Sequence, residues 1–178
     1  MNPREHLLRL LDAYAPHDDA EAAMRERMIA FVRQTIHALD PDHPPGHVTG
    51  SAWVLDPPRR RVLLTFHRKL DRWLQLGGHV DPGEAVPEAA VREAREESGL
   101  PAIALSPGIF DVDIHLIPVR GVRAAHLHYD VRFLCVGPDV TPVASAESRA
   151  VAWVALNEVA RRNADPSMMR MVAKSKPA

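Results

Sequence analysis

Residues 76–100 read "LGGHVDPGEAVPEAAVREAREESGL", a glycine-rich turn followed by a helical stretch that gathers Glu93, Glu96 and Glu97 on one side and halts at Gly99. Glycines 77, 78 and 83, with Pro82, let the backbone turn tightly and approach a ligand closely. The helix is expected from about Glu84 to Ser98, with the Glu84 carboxylate at its positive N-terminal end. Ala85, Ala89, Ala90 and Ala94 give it a small-residue face that can lie against a sheet. On a 3.6-residue helix the three glutamates span about 140°, with Glu93 and Glu97 stacked and Glu96 beside them. Like charges four residues apart cost about 0.2–0.5 kcal/mol per pair, so the cluster does not stabilise the helix. Arg92 can pair with Glu96 or Glu88 at four-residue spacing and hold part of the cluster in place. A hard divalent cation such as Mg2+ takes oxygen ligands, and three clustered carboxylates suit it. An "REAREE" helix alone is an ordinary solvated surface. The fixed spacing of glycine loop, helix-start glutamate and glutamate cluster sets this one apart.

That spacing resembles the Nudix box: glycine, five residues, glutamate, seven residues, arginine–glutamate, an aliphatic residue, any residue, two glutamates, any residue, glycine, an aliphatic residue. Here the positions are Gly78, Glu84, Arg92 and Glu93, Ala94, Arg95, Glu96 and Glu97, Ser98, Gly99 and Leu100. Every fixed position matches. Ala94 is smaller than the usual aliphatic residue, and Leu76 stands where a proline commonly precedes the two glycines; neither departure touches a metal ligand. The lead-in "VLLTFHRKLDRWLQL" and the downstream "AVAWVALNEV" are also similar to the family, so the resemblance spans about Val48 to Arg161.

The resemblance implies an α/β Nudix fold, a mixed β-sheet sandwiched between α-helices, and hydrolysis of a diphosphate linkage in a nucleoside diphosphate joined to another group. By matching position, Glu93, Glu96 and Glu97 are implied ligands of Mg2+ or Mn2+, with the Gly78 carbonyl and Glu84 as further participants. Arg92 is implied to orient the glutamates. A diphosphate cannot approach such a cluster without cations between them, and the metal would polarise a phosphoryl oxygen and lower the pKa of an attacking water. The general base varies within the family and does not transfer by motif. The candidates are Glu97, Glu96 and Glu147, the last in the loop before the final strand. The alternative is a non-catalytic Nudix-like domain that binds a nucleotide and regulates a partner; the intact glutamate set argues against it. The isopentenyl diphosphate isomerase branch relies on a cysteine near the box, whereas the single cysteine, Cys135, lies on a distant strand. No substrate subfamily is matched; Pro118 lies near, but off, the spacing of an ADP-ribose-type proline.

The whole chain bounds these readings. Its 178 residues fit one domain with an extra segment. Hydrophobic residues make up 46% and charged residues 25%, the balance of a soluble globular protein. With 22 basic and 23 acidic residues the formal net charge is −1, so no overall field recommends nucleic acid or an anionic membrane as partner. A lone cysteine excludes an internal disulfide. No run approaches the roughly 20 apolar residues of a membrane span, and the N-terminus is too interrupted by charge for a signal peptide. A cytoplasmic protein acting on a small-molecule nucleotide is expected.

Residues 1–45 are expected to form a helical N-terminal extension and 46–178 the Nudix domain. Asn2 and Pro3 open one helix, with Leu7, Leu8, Leu10 and Leu11 as its apolar face. A second is expected from Asp18 or Asp19 to about Leu39, with Met28, Val32, Ile36 and Leu39 at helical spacing. These helices could form a homodimer contact, cover the pocket or pack on the sheet. "DPDHPPGH" at 40–47 is a proline-laden connector that no helix crosses. Strands are expected in "HVTGSAWVL", "RRVLLTF", "GIFDVDIHLIPV", "AAHLHYDVRFLCV" and "AVAWVAL", with a small helix near Asn157–Arg161 and one more in the tail.

On "HLHYDVRF", His126, His128, Asp130 and Arg132 share one face, and on "FDVDIHL" Asp111, Asp113 and His115 share another. If the two strands pair as a hairpin, these faces form one polar patch, either a solvent-facing surface or a wall of the substrate pocket. His126, His128, Asp130 and Arg132 are therefore candidate substrate contacts, as is Arg68, which with Lys69 and Arg72 precedes the box. "HLHYD" also resembles the His-x-His-x-Asp motif of the metallo-β-lactamase fold, but Val131 stands where its next histidine belongs and no histidine follows His128. Trp53, Trp73 and Trp153 are read as core residues.

Overall fold

Strand β1, Gly46–Leu55, is buried along its whole length because helices cover both faces of the sheet it centres. The computed structural model describes residues 2–119, 121, 124–146 and 148–176. Side chains alternate along β1 with period two. Val48, Ala52 and Val54 enter one core, and Trp53 and Leu55 enter a second on the opposite face. The remaining strands are β2 (Arg61–His67), β3 (Arg72–Leu74), β4 (Leu76–His79), β5 (Ala104–Leu105), β6 (Asp111–Ile117), β7 (His126–Val136) and β8 (Ser148–Ala155). Strand β7 runs parallel to β1, while β4 pairs antiparallel with β1, β6 with β7 and β8 with β2. The result is the mixed sheet between helices that the box resemblance implied.

The helices are α1 (Pro3–Ala13), α2 (Asp19–Gln34), α3 (Val86–Ser98), α4 (Val159–Arg162) and α5 (Pro166–Lys174). Asn2 caps α1 by accepting from the Arg4 N–H, and Asp18 caps α2 by accepting from the Glu21 N–H. Leu7 and Leu11 of α1 and Met28, Ile29 and Val32 of α2 sit in the same core as Val48 and Ala52. Burying each of these side chains contributes about 1.5–3 kcal/mol. The N-terminal helices thus share the sheet's own core. On the other face, Met168 and Met171 of α5 pack with Trp53, Val62 and Leu64.

Two expectations need correction. Helix α2 ends at Gln34, about five residues early, because Thr35 is extended and its Oγ1 accepts the His37 N–H, a local bond that competes with helical continuation. Ile36 is consequently 78% exposed instead of lying on a buried face. Gly77 and Gly78, read as part of a turn, are paired residues of β4, with Ser51 opposite Gly77 and Gly50 opposite Gly78. A strand of glycines shows no apolar alternation, so its pattern was silent.

A buried ionic network ties the two ends of the chain to the sheet. Arg132 donates to Asp130, Asp111 and Asp113. Arg170 of α5 donates to Asp111, and Lys174 donates to Asp111, Glu21 and the Tyr14 hydroxyl. Glu21, 0% exposed, also accepts from the Tyr14 hydroxyl and the His17 N–H. Burial pushes the Glu21 carboxyl up, but the bonds from Lys174 and Tyr14 outweigh it and hold the pKa down to about 2. At Asp111 burial prevails over the Arg170 bond, and its pKa is raised. Among the described residues, no helix is long and apolar enough to cross a membrane.

The depressed Glu21 pKa contributes stability above the unfolded-state value near 4.5 that is lost as pH falls toward about 2. Chemical denaturation of the wild type between pH 5 and 2 should show that loss, of order 3 kcal/mol at about 1.4 kcal/mol per pKa unit. Glu21→Gln should be less stable at pH 7 and should flatten the acid limb. An unchanged limb would show that Glu21 does not set it.

Candidate active site

Helix α3 supplies the carboxylates. It starts at Val86, two residues after the expected Glu84, with the Ala85 N–H donating to Glu88 at 3.2 Å and Pro87 in its first turn. Ala89, Ala90 and Ala94 of the expected small-residue face are buried against the sheet, whereas Ala85 is the N-cap residue, only half-buried, and Val86 takes the buried place beside them. Gly99 ends the helix in the left-handed conformation, with φ 65°. With its alanine side on the sheet, α3 turns Glu93, Glu96 and Glu97 toward a cavity of about 950 Å3, which they line together with Gly77 and Gly78.

Arg92 organises this cluster. Its Nε and one terminal nitrogen donate to the two Glu84 carboxylate oxygens at 3.0 and 2.9 Å. The other terminal nitrogen donates to Glu93 at 2.9 Å and Glu96 at 3.3 Å, and the His79 carbonyl accepts a further bond at 3.0 Å. The Arg92 bond to Glu84 holds that carboxyl below the ordinary range despite partial burial. Glu97, 6% exposed, accepts the Gly77 N–H at 3.2 Å, while Glu96 is open to solvent with 61% of its side chain exposed. Glycine at 78 leaves room for the Glu93 carboxylate, which a Cβ there would meet at 2.5 Å and displace.

The opposite wall comes from the sheet. The β6–β7 register sets Asp111 opposite Arg132, Asp113 opposite Asp130 and His115 opposite His128, so the two polar faces merge. His115, His126, His128 and Asp130 line the cavity. Asp130 accepts from Thr49, Ser51, Gln75 and Arg132. Arg132, one of the expected substrate contacts, is 3% exposed, its guanidinium is bound by three carboxylates, and it does not line the cavity. Arg68 also stands off the lining and donates to the carbonyls of Ala146 and Ser148, whereas its neighbour Lys69 lines the cavity. Glu147 lies outside the described residues. Sequence reasoning missed His47, Thr49, Ser51, Gln75 and His79. The first three had a signal, because positions 47, 49 and 51 are polar in strict alternation on β1.

The sequence pattern of the NUDIX domain matches residues 45–174, and the chain belongs to that family. A curated relative from Bacillus subtilis (strain 168), named "Putative 8-oxo-dGTP diphosphatase", is 48% identical over 50 residues, which is 28% of this chain and 33% of that protein. The match therefore spans about a third of that relative's length. Among solved structures, a C. elegans Ap4A hydrolase complex superposes with a TM-score of 0.58 at 18% identity, over 71% of this chain and 93% of that one. A NUDIX-family hydrolase from Clostridium perfringens gives 0.54 at 22% identity over 72% and 95%. The NUDIX domain of Shewanella oneidensis NrtR, crystallised with ADP ribose, gives 0.51 at 17% over 72% and 84%. At these identities the structural likeness establishes the fold.

Removing the guanidinium by Arg92→Ala should let the Glu84 titration midpoint rise toward the ordinary carboxylate range, as followed by carboxyl-carbon NMR. A midpoint that stays depressed would assign the shift to another group.

Proposed function

We propose that this protein hydrolyses a diphosphate linkage in a nucleoside diphosphate derivative with the help of Mg2+ or Mn2+. The observation that carries this reading is the convergence of Glu93, Glu96 and Glu97 on one cavity wall, held there by Arg92 and by the Gly77 N–H. The cluster offers only oxygen donors, the set that suits a hard divalent cation. Use of a divalent metal is general in the family, and Glu93, Glu96, Glu97 and the Gly78 carbonyl would hold it here. When bound, such a cation neutralises diphosphate charge and lowers the pKa of an attacking water.

The chain's own groups take the remaining roles. Glu97 or Glu96 accepts the proton of the attacking water, with Glu147 as the third candidate. Arg92 is a positioning residue, because its donors are spent on the glutamates and the His79 carbonyl. Lys69, His126 and His128 face the cavity and are placed to meet phosphate and nucleoside groups. Arg132 and Asp130 hold the floor, and Arg68 braces the approach to β8 through two carbonyls. At about 950 Å3 the cavity lies at the upper end of small-molecule sites, room enough for a nucleoside diphosphate and its substituent. A domain that only bound nucleotide would have no use for the full glutamate set and its arginine clamp.

Phosphate release, coupled to alkaline phosphatase, would be measured over nucleoside diphosphate sugars, dinucleotides, nucleoside triphosphates and coenzyme A, with Mg2+ and with Mn2+. Glu97→Gln should lower turnover by about 100-fold or more. Gly78→Ala should cost about 100-fold through displacement of the Glu93 carboxylate, yet leave the melting temperature nearly unchanged, since what moves is the end of a flexible side chain. Wild-type turnover in Glu97→Gln would sink the proposal.

A further inference from the structure

Four neighbouring strands bring five imidazoles to one end of the cavity: His47 from β1, His79 from β4, His115 from β6, and His126 and His128 from β7. Their ring centroids lie 4.7 Å apart for His47–His128, 4.9 Å for His47–His79, 5.2 Å for both His47–His126 and His126–His128, and 5.5 Å for His115–His128. One nitrogen from each of His47, His126 and His128 falls within 4.8 Å of the other two. His126 and His128 line the cavity, whereas His47 is buried behind them.

Such a group needs a physical reason. At His128 burial, followed by the surrounding histidines, pushes the pKa down to about 2. Neutral imidazoles are good ligands for borderline divalent metals. One of the three rings is also oriented as ligands commonly are. The Ala124 carbonyl can only accept, so His126 Nδ1 carries the proton in their 3.0 Å bond and Nε2 keeps its lone pair.

We propose that His47, His126 and His128 bind a transition-metal cation of the Zn2+ or Co2+ class, at a site distinct from the oxygen-only glutamate cluster and open to the cavity at its remaining position. A tetrahedral ion with bonds of about 2.0–2.1 Å sets its ligands roughly 3.3 Å apart. The three rings would have to draw together from the present spacing of up to 4.8 Å to bind the ion. Three histidines and an open position is the arrangement of a metal that can take water or an external oxygen as its fourth ligand. A cation here still presents positive charge to a substrate phosphate, so His126 and His128 remain compatible with substrate contact. The site stands independently of the hydrolase reading.

The test uses the full chain, freed of metal by chelation and titrated with Co2+ in the presence of excess Mg2+. One equivalent of Co2+ should develop the intense visible bands of a tetrahedral nitrogen-ligated ion, and Zn2+ should abolish them by displacement. The bands should persist in Glu97→Gln. They should weaken, with affinity lower by an order of magnitude or more, in His128→Gln and in the half-exposed His126→Gln, whose folding is checked by circular dichroism. Absence of tetrahedral bands in the wild type would overturn the proposal. So would bands that disappear in Glu97→Gln yet survive in a folded His126→Gln.

Discussion

Everything near the cavity depends on a solution to one problem, the burial of Arg132. Taking a guanidinium out of water costs several kcal/mol unless charge and hydrogen bonds replace the solvent. Asp130 beside it, with Asp111 and Asp113 on the paired strand, provides that replacement. These carboxylates then demand further cations, which Arg170 and Lys174 bring from α5, and Lys174 in turn meets Glu21 of α2. The helices at the two ends of the chain are thereby docked by charge as well as by apolar packing. The same network fixes Asp130, which Thr49, Ser51 and Gln75 hold from the other side as the floor of the cavity. A slip of one residue between β6 and β7 would exchange this polar face for the apolar one, so the network and the register enforce each other.

The glutamate wall follows a different logic. Glu93, Glu96 and Glu97 repel one another, and Arg92 offsets only part of that repulsion while leaving the carboxylates facing the cavity. Glycine at 78 lets Glu93 come down onto β4. The cavity therefore juxtaposes two donor sets of unlike chemistry, oxygens on α3 and imidazole nitrogens across β1, β4, β6 and β7. Hard and borderline cations would sort between them by ligand type.

Local patterns made much of this legible. The cap at Asn2, the alternation on β6 and β7, and the box on α3 depend on neighbours within a few residues, where spacing and geometry correspond directly. The stop at Thr35 was hidden because the apolar period continues through Ile36 and Leu39, and only the Thr35 side-chain bond breaks it. Strand β4 was hidden because glycines carry no hydrophobic signal. Arg132 looked like a phosphate ligand because a sequence shows that an arginine shares a face with two histidines, without showing which acids will surround it. Arg68 was misleading for the same reason, as the carbonyls it meets lie nearly 80 positions away.

By itself, then, the sequence determined the identity of the glutamate cluster, the arginine that holds it and the strands whose alternation gives them a polar face, because each depends on short-range periodicity. Tertiary structure decided which polar residues reach the cavity and which are consumed beneath it. Parallel pairing of β1 with β7 set His47 beside His128 and Thr49 beside Asp130, residues 81 positions apart in each case. Such meetings arise from sheet order and register, and no local spacing encodes them.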